Sequence, residues 1–129
     1  MQLTQNISKE LTDQDPAAYY IYIFKEFITF LNEHSALVNT AMDSSALPAL
    51  LDILAGEIQS DIYWHLKEQE KKGFQYPMSL HVLAAFYAGG IIQITREKLN
   101  KQIAGSDEEL IKQYKAIIAS FQPACVSQK

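Results

Sequence analysis

Apolar residues recur along this chain at steps of three and four, the spacing of one helix face, and strand-like alternation is nearly absent. Between Asp15-Pro16 and about Glu33, Tyr20, Phe24, Phe27 and Leu31 form a stripe that Ile23 and Phe30 broaden, with Tyr19 and Tyr22 toward its edges. Asp15 is placed to cap the free amides, and Pro16 falls in the first turn, where its missing N–H costs nothing. Before it, Met1 to Gln14 is polar, with Leu3, Ile7 and Leu11 spaced for a short amphipathic helix. A short element from Ser35 to Met42 is closed by Asp43-Ser44-Ser45, residues that favour caps and turns.

The next helix begins near Ser45 or Ala46 with Pro48 in its first turn. Its stripe is Leu47, Leu50, Leu51, Leu54, Ile58, Ile62 and Leu66, and it ends at Lys71-Lys72-Gly73, with cations at the negative end of the dipole and glycine beyond. A long helix is expected from Met78 to Gln102, and Ile103-Ala104-Gly105 breaks it. Ser106-Asp107-Glu108-Glu109 then forms a capping box, in which serine and glutamate satisfy each other's amides. The last helix carries Leu110, Ile111, Tyr114, Ile117, Ile118 and Phe121 and stops at Pro123.

From Leu80 to Ile94 nearly every side of the helix is apolar, whereas a surface helix needs one stripe. The last helix has a stripe of its own, and the short connection implies antiparallel packing. So small a domain has too few helices to cover both. A twofold dimer in which the pair meets its copy as a four-helix bundle is the economical solution. Gly89-Gly90 fits close approach of two helix backbones, and a glycine kink without a partner is the plainer alternative.

Composition narrows the function classes. With 129 residues and 48% of them hydrophobic, the chain can bury a core as one domain. A net charge of −4 argues against nucleic-acid binding by this chain, as does the presence of one arginine, Arg96. No signal peptide is expected, and the apolar run of about 15 residues is short of the roughly 20 that span a bilayer. One cysteine, Cys125, cannot form an internal disulfide, which makes a reducing cytoplasm the expected compartment.

Within residues 17 to 121, Ala85-Phe86-Tyr87-Ala88-Gly89-Gly90-Ile91-Ile92 leads through Leu99 into Ser106-Asp107-Glu108-Glu109-Leu110, and Asn32-Glu33-His34 stands between an aromatic helix and a short one. In this order and spacing the chain resembles the C-terminal half of a TetR-type transcriptional regulator. Glu97 and Lys98 stand where family members often carry two aromatics, and the family's N-terminal helix-turn-helix head has no counterpart.

The resemblance implies an all-α, TetR C-terminal-like domain of about five helices, dimerising through the last two as a four-helix bundle. Residues 1–15 would be a polar segment or linker helix, 16–122 the effector-binding and dimerisation domain, and 123–129 a tail. The expected partners are a second copy and a small-molecule effector, with DNA reached only through the missing head and no membrane contact. In such regulators ligand binding shifts operator affinity, a coupling between sites that requires the ligand to favour one conformation. A free-standing helical dimer that binds a ligand or protein without DNA is the alternative. The interface candidates are Tyr87, Gly90, Ile91, Ile94, Leu110, Tyr114, Ile117, Ile118 and Phe121.

Tyr20, Phe24, Phe27, Met42, Ile58, Ile62 and Phe86 are the candidates to line a pocket for an apolar or aromatic effector. Core packing is the plainer account of each. Trp64, beside Tyr63, fits a space-filling role at the domain edge or a stacking surface. Glu57, Asp61 and His65 share a helix face and read as solvated, with no second ligand set for a metal. His34 and His81, near helix ends, read as capping or surface residues. No metal, cofactor or catalytic constellation is expected, and Cys125 has no basic neighbour to activate it before Lys129. The chain is therefore not expected to be an enzyme.

Overall fold

The computed structural model describes the backbone of residues 16–121 and the side chains of residues 18–120. These form five helices and no strand: α1 (Pro16–Glu33), α2 (Ser35–Asp43), α3 (Leu47–Lys71), α4 (Leu80–Leu99) and α5 (Asp107–Phe121). The Met1–Gln14 helix, the Asp15 cap, the Phe121 side chain, Pro123 and Cys125 lie outside the described residues, as do the segments 1–15 and 123–129. No described helix is long and apolar enough to cross a membrane.

Helix ends follow local chemistry. The capping box forms as expected: Ser106 N–H donates to Glu109 Oε1 at 3.0 Å and Glu109 N–H to Ser106 Oγ at 3.1 Å. Ser79 caps α4, its hydroxyl accepting from Val82 N–H at 3.0 Å, so the helix starts after the expected Met78. At its other end α4 stops at Leu99, short of Gln102, because Lys101 turns left-handed at φ 63°. Gln102 N–H then reaches back to Glu97 O at 2.7 Å and Lys101 N–H to Lys98 O at 3.1 Å, the paired bonds of a Schellman motif. The same pair closes α3, around Gly73 at φ 105°, and α2, around Ser45 at φ 64°.

Packing centres on α1. Its Tyr19, Tyr20, Ile23, Phe24 and Phe27 are almost wholly buried. They meet α3 through the Tyr19–His65 stack, α4 through Tyr20–Tyr87 and α5 through Phe24–Tyr114. Tyr19, expected at the edge of the stripe, is interior because the imidazole of α3 covers it. The α3 stripe is buried as its spacing predicts, with Leu50 half-buried and Gln69 extending the buried face by one turn. Ile53 and Trp64 project outward from α3, and the Trp64 ring meets Tyr63 edge-on.

The α4 helix lies most extensively along α3, with Arg96 reaching Asp52 at 3.9 Å, an exposed pair worth little. α5 packs mainly on α1 and touches α4 through side chains. Lys98 pairs with Asp107 while Tyr87 pairs with Tyr114, so α4 and α5 run antiparallel. Replacing a fully buried aromatic such as Phe27 with alanine should cost about 3–5 kcal/mol.

Candidate functional site

Two surfaces and one polar cluster are candidates. The first surface is a groove between α4 and α5, enclosing about 280 Å³ and lined by Phe86, Tyr87, Gly90, Ile94, Tyr114, Ile117 and Ile118. Its floor is set by Tyr114. The Tyr114 ring passes over Gly90, where an added Cβ would lie 3.6 Å from Cε1, and its hydroxyl donates to the Tyr87 carbonyl at 3.4 Å. Burial, reinforced by the neighbouring Tyr87 phenol, holds Tyr114 well above the ordinary tyrosine range, so it remains a donor. Beside the groove, Phe86 is 58% exposed, Val82 59% and Ile117 48%. Helix α4 therefore keeps one apolar face uncovered, and a Cβ added to Gly89 would meet nothing within 4 Å.

The second surface is a cavity of about 300 Å³ where α1, α4 and α5 converge. Phe24, Ile28, Leu31, Leu99 and Leu110 wall it with hydrocarbon, and Asn32, Thr95, Lys98 and Asp107 supply its polar atoms. Asp107 joins three helices: Lys98 Nζ donates to its Oδ1 and Asn32 Nδ2 to its Oδ2, each at 3.2 Å. The buried Thr95 hydroxyl donates to the Ile91 carbonyl at 2.8 Å, within its own helix.

The cluster lies between α1 and α3. The Tyr19 and His65 rings are stacked, with centroids 3.7 Å apart, and Tyr19 Oη donates to the Asp61 carbonyl at 3.2 Å. Burial, then repulsion from Glu57, raises the Asp61 carboxyl from 3.8 to about 6. The face of Glu57, Asp61 and His65 is thus not simply solvated: all three are half-buried, because the aromatic start of α1 lies against it. Among the described residues no group of three His, Cys, Asp or Glu side chains could hold a metal.

No family model matches the chain, and neither a curated protein nor a solved structure does.

The sequence candidates fall as follows. Tyr20, Phe24, Phe27, Ile58 and Ile62 are packed in the core at 2% exposure or less. Only Phe24 among these five borders the cavity at α1, α4 and α5. Met42 is half-buried at a depression with Pro48 and Arg96, and Phe86 stands at the α4–α5 groove. None of the cavities described among residues 16–121 is lined by all seven. Of the interface candidates, Tyr87, Gly90, Ile94, Tyr114, Ile117 and Ile118 line the groove, although Tyr87, Tyr114 and Ile118 are themselves almost wholly buried, and Ile91 and Leu110 are buried away from it.

Pattern alone does not single out Asn32, Thr95, Lys98 and Asp107 as a site. They belong to three separate helices, and their only local signals are a helix end, a polar interruption and a capping box. His34 is exposed at the junction of α1 and α2, with Nδ1 2.9 Å from the Phe30 carbonyl and its ring against Phe30, and His81 is exposed.

Proposed function

We propose that this chain is the dimerising, effector-binding half of a TetR-type transcriptional regulator, and that it senses a small apolar or aromatic molecule. The observation that carries the reading is the uncovered α4–α5 surface. A protruding ring, Phe86, and a groove passing over Gly90 lie side by side on it. A knob and a hole on one surface are self-complementary, so a twofold axis seats each copy's knob in the other's hole. The order of helices supports the family reading: an aromatic helix, a short one, a long one, then the antiparallel pair, joined by the Asn32-Glu33-His34 and Ser106–Glu109 segments that carry the resemblance.

A charge of −4 gives this chain little attraction for a phosphate backbone, so on this reading operator binding is the work of a helix-turn-helix outside the described residues. Analytical ultracentrifugation of the chain at tens of micromolar tests the reading: a dimer that Phe86→Glu converts to a folded monomer is expected. A monomeric parent, or a dimer indifferent to Phe86→Glu, overturns it. In a gel-shift assay at physiological salt, the isolated chain should leave a DNA duplex unshifted.

A further inference from the structure

We infer that the cavity between α1, α4 and α5 is a binding site for a neutral hydroxylated apolar molecule, a small alkylphenol or alcohol. The inference deepens the sensing part of the function proposed above by naming a site and a ligand chemistry, and it is independent of dimerisation.

The walls exclude most other ligands. Phe24, Ile28, Leu31, Leu99 and Leu110 offer hydrocarbon, and the volume of about 300 Å³ lies at the lower end of small-molecule pockets. A body of about ten non-hydrogen atoms suits it. At the polar end both signs of charge stand together. An ionised carboxylate reaching Lys98 Nζ would sit against the Asp107 carboxylate, 3.2 Å from that same ammonium, and an amine reaching Asp107 would sit against Lys98. Either charged head gains one attraction and incurs one repulsion while losing its water.

A hydroxyl avoids both penalties, because it donates and accepts at once. The Lys98 ammonium has three N–H groups, of which one is directed to Asp107, so its others can donate to the ligand oxygen. Thr95 commits its proton inward to Ile91 O and presents lone pairs only, and the Asp107 oxygens likewise accept. The ligand proton thus has acceptors beside a donor for the ligand oxygen, and an ether or hydrocarbon satisfies at most half of this set.

The test is titration of the ¹⁵N-labelled chain with 4-propylphenol, 4-propylanisole and 4-propylbenzoate, followed by amide shifts. Expected is saturable binding of the phenol with a Kd of roughly 0.1–1 mM, as a ligand of this size reaches. The shifts should fall on Ile28, Thr95, Leu99 and Asp107. The anisole should bind about tenfold more weakly, the factor that one lost buried hydrogen bond carries, and the benzoate at least as weakly, because its charge meets the Asp107 carboxylate.

Ile28→Trp, which fills the space, should abolish the shifts. Thr95→Val, nearly isosteric, should weaken the phenol about tenfold and leave the anisole unchanged, so the inference stays open to refutation if the tryptophan variant fails to fold. Non-saturable shifts, equal affinity for phenol and anisole, or shifts mapping to Phe86 and Ile117 overturn it. Because binding and sedimentation are read separately, failure here is distinguishable from failure of the dimer.

Discussion

The Tyr19 ring lies flat on the His65 imidazole, with planes within 1° of each other, and the Tyr19 hydroxyl ties the same stretch of α3 through the Asp61 carbonyl. The packing that fixes this stack also takes the Asp61 side chain partly out of water, and its carboxyl is raised from 3.8 to about 6. Between these values the folded chain keeps a proton that the unfolded chain has released. Stability from this group is therefore complete below the unfolded value and is lost as pH rises through about 6. Asp61→Asn should flatten that decline and stabilise the protein at pH 7 by on the order of 1 kcal/mol, after allowance for screening at a half-exposed group. Thermal melts of both proteins at acid and neutral pH check this. A variant no more stable than the parent at pH 7 contradicts it.

The reciprocal bonds of Ser106 and Glu109 start α5 and hold Asp107 beside Lys98. Ser106→Ala should cost about 1 kcal/mol, and Glu109→Ala a similar or smaller amount. Because the two side chains serve one turn, the double variant should lose less than the sum. Urea titrations of the three variants measure this, and strict additivity would show that the two bonds act separately.

Lys101 occupies a left-handed conformation, φ 63°, with its side chain exposed. A Cβ in that region is unfavourable by roughly 1–2 kcal/mol, part of which glycine gives back by making the unfolded chain more flexible. Lys101→Gly should therefore stabilise the fold by up to about 1 kcal/mol and raise Tm. An unchanged or lowered Tm would mean that the lysine is held there by something other than local geometry.

Adjacent glycines on α4 should respond differently. Gly90 lies beneath Tyr114, so a side chain larger than alanine disturbs the chain itself, while Gly89 faces open space. Gly89→Leu should stabilise the fold by up to about 1 kcal/mol, because a glycine inside a helix is unfavourable, yet weaken self-association. Gly90→Leu should lower the melting temperature as well as the association constant. Sedimentation and thermal melts on the same samples separate the two effects, and a Gly89→Leu dimer of undiminished affinity would remove this face from the interface.

Periodicity carries the fold a long way. The stripes of α1 and α3 reach the core almost residue for residue, and Ser106–Glu109 makes the cap that its spacing predicts. Helix ends are less legible where the stop is a backbone state: nothing in the side chain of Lys101 announces a positive φ, whereas Gly73 does so by its identity. The stripe of α1 misplaces Tyr19 because its burial depends on His65 in a different helix. The cavity is hidden for the same reason. Asn32, Lys98 and Asp107 become neighbours only after three helices have met, and a pattern along one helix carries no record of that meeting.

Asp107 also ties the start of α5 to two other helices. Its first turn is bolted to Asn32 of α1 and Lys98 of α4, while Ile117, near its other end, is half open to solvent. Its 15 residues span about 22 Å, long enough for one helix to wall the cavity with Asp107 and Leu110 at its start and the groove with Tyr114, Ile117 and Ile118 farther along. A molecule seated beside Asp107 would therefore rest against the same helix that a second copy would meet at the groove.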